Sequence, residues 1–227
     1  MGPTLLCNKL EVSMRKLFLI SVLFLTLTGC GLFSDNPADD PFDISITESF
    51  EIEFPFDADT LCPPGQNCTE VPMPSPGPVE LPDVQIPIPV DILAATGSSQ
   101  LKEIAGRLKK VEIESVEYEL VDNTLNIDSP VFQIYIGPAS STQVTGSGTV
   151  PLVVIPSVPP KESKKGVAVP TPESLTVASE LLKSLNFAAI GYIDEDIEQG
   201  DLFPAQGKAL YKLKFNLRFT ASPLDQF

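Results

Sequence analysis

Regular alternation of hydrophobic and polar residues marks two long segments of the chain. Between residues 44 and 56 the even positions are apolar except for Glu48, and the odd positions from 45 to 53 are polar. Residues 209–220 alternate in the same way. Because successive side chains of a strand point to opposite faces, each segment predicts a long strand with one buried face. Pro55 predicts the end of the first strand or an exposed edge.

Weaker patterns predict the remaining strands. Residues 84–92 alternate but carry Pro87 and Pro89 on the second face, which favours an edge strand. Within residues 111–120 the apolar positions change parity at Glu114-Ser115, which indicates a bulge or bend. The other predictions are a turn at Asp122-Asn123, a central strand at 131–136, a polar loop or weak strand at 139–148, a strand at 150–155, an exposed loop at 156–170 and a strand at 187–193.

Two segments have the periodicity of amphipathic helices. Residues 98–110 begin with Ser98 or Ser99 as a cap and end with basic residues that complement the helix dipole. The second helix begins with Thr171 as N-cap and Pro172 at the first helical position. The apolar stripes comprise Leu101, Ile104, Ala105 and Leu108 in the first helix, and Leu175, Ala178, Leu181, Leu182 and Leu185 in the second. We expect the first stripe to pack against a sheet; a membrane surface is the alternative.

Together these elements predict a mainly β fold. The strands follow one another without the regular strand–helix alternation of parallel α/β proteins. We therefore expect a single antiparallel β-sandwich over residues 43–227 with two short helices; a flattened barrel is the alternative. Residues 57–82 are rich in proline and predict an extended surface loop within this domain.

Composition and charge exclude several functions. The 227-residue chain has 30 acidic residues, 15 basic residues and a net charge of −15, and it contains no His. Nucleic-acid binding needs a basic surface, so a nucleic acid is not an expected partner. Without His, neither a Ser-His-Asp or Cys-His catalytic group nor a His-ligated metal site can form. The chain also lacks a P-loop and a dinucleotide-binding fingerprint, and we expect no cofactor.

The most specific motif lies near the N-terminus. Met14-Arg15-Lys16 is a short positive segment, and residues 17–27 form an apolar run of eleven residues. That run is long enough for the core of a signal peptide, but it is too short to span a bilayer core of about 30 Å as a helix. Leu27-Thr28-Gly29-Cys30 then follows. This sequence resembles the lipobox of bacterial lipoproteins, in which small residues precede an obligatory Cys.

The resemblance implies a processed protein with a lipid anchor. In that class the signal is cleaved before the Cys, its thiol receives a diacylglyceryl group, and the new amine is acylated. We therefore expect removal of residues 1–29, lipidation of Cys30, and a polar tether over residues 30–42. Gly31 stands where an Asp marks retention in the inner membrane, which favours the outer membrane of the bacterial envelope. Residues 1–13 do not fit such a signal, and a start at the following Met would leave them untranslated.

Two further cysteines lie in the proline-rich loop. Cys62 and Cys68 have five residues between them, in a protein expected to reside in an oxidising compartment. We predict a disulfide between them. The spacing differs from the C-x-x-C of thiol-redox proteins, and two thiols are too few for a structural zinc site.

An acidic segment carries the one candidate metal site. Asp194, Asp196 and Glu198 have the spacing that begins an EF-hand, and Asp201 follows. The pattern then departs from an EF-hand, because Gly comes one position late and Ala205 stands where a bidentate Glu is required. We expect an acidic turn between two strands, with calcium binding in a looser loop as the alternative.

These observations favour a non-catalytic envelope lipoprotein that acts as a structural or protein-interaction module. The alternative is a carrier or chaperone for a lipid or another apolar ligand, held in a cavity between amphipathic strands and helices. A carboxylate-based enzyme would need two carboxylates that converge in a pocket. The abundance of acidic residues singles out no such pair.

Overall fold

The computed structural model describes residues 43–58, 79–80, 83–170, 172–194, 196–197 and 205–223. Apart from Asp43, these residues fall in one unit, Ile44–Phe227. The strands are β1 (Ile44–Asp57), β2 (Val79–Glu80), β3 (Val84–Asp91), β4 (Leu108–Val121), β5 (Phe132–Pro138), β6 (Val150–Ile155), β7 (Lys164–Ala168), β8 (Asn186–Ile193), β9 (Asp196–Ile197) and β10 (Lys208–Ala221). The helices are α1 (Ile92–Thr96), α2 (Ser99–Ile104) and α3 (Pro172–Leu182), with a 3₁₀ turn at Ala105–Arg107.

Two four-stranded antiparallel sheets form the body of the fold. Sheet 1 has the strand order β1-β10-β4-β7, and sheet 2 has the order β3-β8-β5-β6. Strands β2 and β9 form a separate two-stranded ladder. No described strand joins sheet 1 to sheet 2, so the fold is an antiparallel β-sandwich and not a closed barrel. The predicted fold class is confirmed.

Aromatic rings from both sheets meet in the interior. Phe54 of β1 contacts Phe132 of β5 edge to face, with ring centroids 5.4 Å apart. The Phe132 ring also stacks on Tyr211 of β10 at 4.2 Å, and all three side chains are at most 1% exposed. Gly191 of β8 provides the space, because a Cβ at that position would overlap the Phe132 ring. This cluster joins the two layers of the sandwich.

The alternating patterns give the expected strands. Each of β1 and β10 buries one face, as predicted; the other face is exposed along most of β1 and only partly exposed along β10. Strand β3 is an edge strand, β5 is central, and Pro55 lies within the edge strand β1. The predicted bulge is present as well: the register between β10 and β4 shifts after Asn216, which lies opposite Ser115, and this leaves Glu114 as the extra residue.

Glu48, the polar exception on the apolar face of β1, has a local explanation. It lies near the beginning of the strand, where the side chains are only partly buried. Its carboxylate accepts a hydrogen bond from the hydroxyl of Ser98. The Ser98 oxygen in turn accepts from the backbone N–H of Leu101 at 3.1 Å and caps α2. A charged residue is tolerated at this position because it supports the cap of a neighbouring helix.

The predicted helix at 98–110 is correct only in its first half. Helix α2 ends at Ile104, and β4 begins at Leu108. Lys110 lies opposite Thr220 of β10 in the ladder of sheet 1. Pairing with β10 supplies backbone hydrogen bonds along this segment, and it overrides the helical pattern of the local sequence. The buried residues of α2 face the core, as expected.

Helix α1 was not expected, and it replaces the predicted end of a strand. Asp91 caps it, since its carboxylate accepts a hydrogen bond from the backbone N–H of Ala94 at 3.1 Å. Gly97 ends it in a left-handed conformation with φ of 62°. The described residues therefore hold three α-helices where the sequence predicted two. Thr171, the predicted cap of the last helix, lies outside the described residues.

Strand β7 lies within the predicted exposed loop 156–170. Gly166 stands opposite Tyr118 of β4, and a Cβ on Gly166 would be 2.6 Å from the tyrosine ring. The ring therefore covers the glycine and holds the short strand against sheet 1.

Helix α3 contacts β4, β5 and β6. Among the helices of the described ranges, none combines the length and hydrophobicity that a bilayer crossing requires.

Candidate functional site

Most of the predicted site residues lie outside the described ranges. Cys30, Cys62 and Cys68 are among them, so lipidation and the disulfide stay predictions. Asp194 follows β8 and is exposed. The backbone of Asp196 belongs to β9, and Glu198 and Asp201 lie outside the described ranges. Within the part of the chain that the structure describes, no group of three or more His, Cys, Asp or Glu residues is arranged to hold a metal ion.

The outer face of sheet 1 is a ladder of opposite charges. Lysines of the central strand β10 point outward between acidic residues of its two neighbours, β1 and β4. The ion pairs that the structure describes on this face are Lys208–Asp57 at 2.7 Å, Lys212–Glu53 at 2.9 Å, Lys214–Glu117 at 4.0 Å, Lys165–Glu119 at 2.8 Å, Arg218–Glu114 at 2.7 Å and Lys110–Glu112 at 2.7 Å. This arrangement neutralises the acidic side chains locally and leaves none of these carboxylates poised as an isolated acid or base.

The pair with Glu53 changes the titration of Lys212. The hydrogen bond and the negative charge of Glu53 raise the pKa of Lys212 above its usual 10.5, and the charges of Glu51 and Glu119 act in the same direction. Water screens exposed pairs of this kind, so they contribute little to the stability of the fold. A shallow groove of about 520 Å³ crosses this face, and it is lined by charged side chains together with Tyr118, Gly166 and Val167.

The outer face of sheet 2 is apolar and partly covered. Ala188 and Ile190 of β8 point away from the sandwich interior, yet both are at most 1% exposed. The loop at 139–149 reaches over this face, and the backbone N–H of Val144 donates to Gln85 Oε1 of β3 at 2.9 Å. Ser141 of the loop lies close to Gly137 of β5: a Cβ built on this glycine would be 2.9 Å from the hydroxyl oxygen of Ser141. The polar loop therefore covers β8 from outside.

Two tyrosines extend this covered surface. Tyr135 and Tyr192 meet edge to face, with ring centroids 5.8 Å apart. Burial raises the pKa of Tyr192 above 10.0, and the charge of Asp194 and a hydrogen bond with Asp83 raise it further. A signal in the sequence could have revealed this surface: β8 is apolar on both faces, which is typical of a strand covered on both sides.

Comparisons with known proteins add little. No protein-family model matches the chain, and no curated protein matches it significantly. The decameric BFDV capsid protein is 12% identical with a TM-score of 0.36, and the match covers 78% of this chain and 99% of that chain. Desmodium yellow mottle tymovirus gives 12% identity and a TM-score of 0.27, and the match covers 86% of this chain and 96% of that chain. Turnip yellow mosaic virus gives 11% identity and a TM-score of 0.27, and the match covers 87% of this chain and 90% of that chain. These TM-scores and identities are too low to extend a function to this chain.

The predicted Cys62–Cys68 disulfide can be tested directly. We expect the protein from an oxidising compartment to leave both thiols unreactive towards an alkylating reagent after denaturation, and to react at both after reduction. Serine at both positions should lower the free energy of unfolding by about 2–2.5 kcal/mol, since the small loop no longer restricts the unfolded chain. Mass spectrometry of peptides cleaved after Glu53 and Glu70, together with urea unfolding, measures these effects. Free thiols in the oxidised protein would contradict the disulfide.

Proposed function

We propose that this protein is a non-catalytic lipoprotein of the bacterial envelope, anchored by lipid on Cys30 and acting as a structural or protein-interaction module. The observation that carries the anchor is the sequence Leu27-Thr28-Gly29-Cys30 directly after a short apolar run with a positive start. Two or more acyl chains hold a protein firmly, because each buried CH₂ contributes about 0.8 kcal/mol. Gly31 after the Cys supports an outer-membrane location.

The packing of the described core supports an interaction module over a carrier. A carrier for an apolar ligand would need open space between its sheets. Aromatic rings occupy that space here, and Phe132 of sheet 2 contacts Phe54 and Tyr211 of sheet 1 across it. Asp57 and Glu53 on the outer face of sheet 1 are paired with lysines, which supports a binding role over acid–base chemistry. The function therefore resides on the surfaces and edges of the sandwich.

The anchor is tested by replacing Cys30. We expect Cys30→Ala, expressed as the full chain in a bacterium that processes lipoproteins, to lose incorporation of a clickable palmitate analogue. The variant should also move from the detergent phase to the aqueous phase in a two-phase extraction, since no acyl chain remains. In-gel fluorescence and immunoblotting measure the two effects.

Cys7→Ala is the matched control, because Cys7 lies within the segment expected to be removed. This variant should keep the label and the detergent-phase distribution of the wild-type protein. Labelling of Cys30→Ala at the wild-type level would contradict the proposed anchor. A mature protein that still carries residues 17–29 would contradict the proposed cleavage.

A further inference from the structure

Strand β7 is an open edge of sheet 1. It pairs with β4 on one side, from Leu120↔Lys164 to Val116↔Ala168. No described strand pairs with its other side. An edge strand presents unpaired backbone N–H and C=O groups, and these groups can form a ladder with an additional strand.

Proline distinguishes β7 from the other edge strands. The edges of the two sheets are β1, β7, β3 and β6. Pro55 lies in β1, Pro87 and Pro89 lie in β3, and Pro151 lies in β6, whereas β7 contains no proline. Each proline removes a backbone donor and hinders the addition of a further strand. Among the edges that the structure describes, β7 therefore retains its full set of donors.

Two exposed valines accompany this edge. Val167 is 62% exposed and Val169, just after the strand, is 83% exposed. Among the large hydrophobic residues whose exposure the structure describes, none is as exposed as these two. They are two positions apart, which is the spacing at which side chains of an extended segment share one face. An added strand could bury both by placing alternate apolar side chains against them.

Two lysines at this edge carry positive charges without an ion-pair partner among the described residues. Lys161 and Lys164 are exposed, and neither forms an ion pair with a described acidic residue, in contrast to the neighbouring Lys165, which pairs with Glu119 at 2.8 Å. The loop that carries Lys161 is held in place, because the amide of Asn123 donates to the carbonyls of Pro159 at 3.2 Å and Glu162 at 2.9 Å. Two cations therefore lie at the beginning of the open edge, in a chain whose net charge is −15.

We infer that β7 is the docking edge for an extended acidic segment of a partner protein. The segment adds to sheet 1 as a fifth strand, places apolar side chains against Val167 and Val169, and brings carboxylates to Lys161 and Lys164. An acidic partner is favoured over a β7-to-β7 pair with a second copy, since a second copy brings the same lysines to the interface. This inference rests on the proposed role as an interaction module and names the surface that performs it.

Site-specific photo-crosslinking in the intact bacterium tests the inference. The full chain carries benzoylphenylalanine at position 167, and in separate strains at position 154 on the outer face of sheet 2 or at position 177 on α3. Val154 and Val177 are exposed controls away from the β7 edge, at 56% and 38%. We expect a crosslink to another protein from position 167, within an acidic segment of that protein identified by mass spectrometry.

Charge reversal provides the second measurement. Lys161→Glu combined with Lys164→Glu should lower the yield of this crosslink at least about fivefold, because the carboxylates of the partner then face like charges. Lys102→Glu is the matched control: Lys102 lies on α2, is exposed, and forms no ion pair with a described acidic residue. It should leave the yield unchanged. Circular dichroism melting of each variant confirms that the sandwich is intact.

The outcomes separate this inference from the proposed function. Crosslinks from position 154 or 177 but not from 167 overturn the docking edge and leave the interaction module standing. An absence of crosslinks from all three positions in a lipid-labelled, membrane-bound protein overturns both. A crosslink from position 167 to a second copy of the chain, to lipid, or to a segment without acidic residues overturns the acidic partner.

Discussion

Phe132→Ala is expected to lower the free energy of unfolding by about 3–5 kcal/mol. Phe132 is fully buried, contacts Phe54 of the opposite sheet at 5.4 Å, and stacks on Tyr211 at 4.2 Å. Its removal would leave a cavity in the centre of the sandwich, and both neighbouring rings would lose contacts. Urea unfolding of the purified protein, followed by circular dichroism, measures the change.

Val154→Ala is the control for this prediction. Val154 lies on the adjacent strand opposite Gln133, the residue next to Phe132, and it points to the outer face, where it is 56% exposed. Its truncation should change the free energy of unfolding by no more than about 0.5 kcal/mol.

A second test uses Gly191, which lies against the Phe132 ring. Gly191→Ala should be destabilising in the wild-type protein and much less so beside Phe132→Ala. Additive effects would contradict the described packing.

Gly207→Ala is expected to lower the free energy of unfolding by about 2–5 kcal/mol. Gly207 has φ of 103°, a conformation that residues with a Cβ rarely adopt. A Cβ there would also overlap the backbone carbonyl oxygen of Thr124, which cannot move aside as a side chain can. The carbonyl of Gly207 accepts from the N–H of Ala58 at 3.0 Å, so a shift of this residue would disturb the end of β1.

Gly97→Ala separates the two causes in the same unfolding measurement. Gly97 also has a positive φ, of 62°, but no atom lies within 4 Å of a Cβ built on it. We expect this variant to show only the conformational penalty, about 1–2 kcal/mol. If the two variants were equally destabilised, the close approach of Gly207 to Thr124 would have no energetic consequence, and the prediction would be wrong.

The strands with one buried face were predictable because their pattern is local. Alternation in β10 places its ends within a residue or so of the observed Lys208–Ala221. The boundary between α2 and β4 was not predictable in this way, because residues 98–110 carry a helical stripe. Only the ladder that places Lys110 opposite Thr220 explains why this segment becomes a strand. The short strand β7 was missed for a related reason: its lysines and Gly166 are typical of a loop, and Tyr118 that covers the glycine lies far away in sequence.

The contacts on the candidate surfaces were also unpredictable from local sequence, because they depend on residues far apart in the chain. Lysines alternating along β10 and acids alternating along β1 are visible in the sequence, but the pairing of Lys212 with Glu53 follows only from the register of two strands from opposite ends of the described chain. The covering loop at 139–149 has the Ser, Thr and Gly composition of a solvated connection. Its hydrogen bond from Val144 to Gln85 depends on the sheet beneath it.

The position of β10 has a consequence for folding during synthesis. It is the last of the described strands in chain order, yet it lies between β1 and β4 and pairs with both along their length. While the chain is synthesised from its N-terminal side, β1 and β4 therefore emerge without the strand that joins them. Assembly of sheet 1 must wait for contacts between residues that are far apart in sequence, which slows folding and exposes apolar strands. A chaperone that holds unfolded chains should bind this chain during that interval and release it once β10 has arrived.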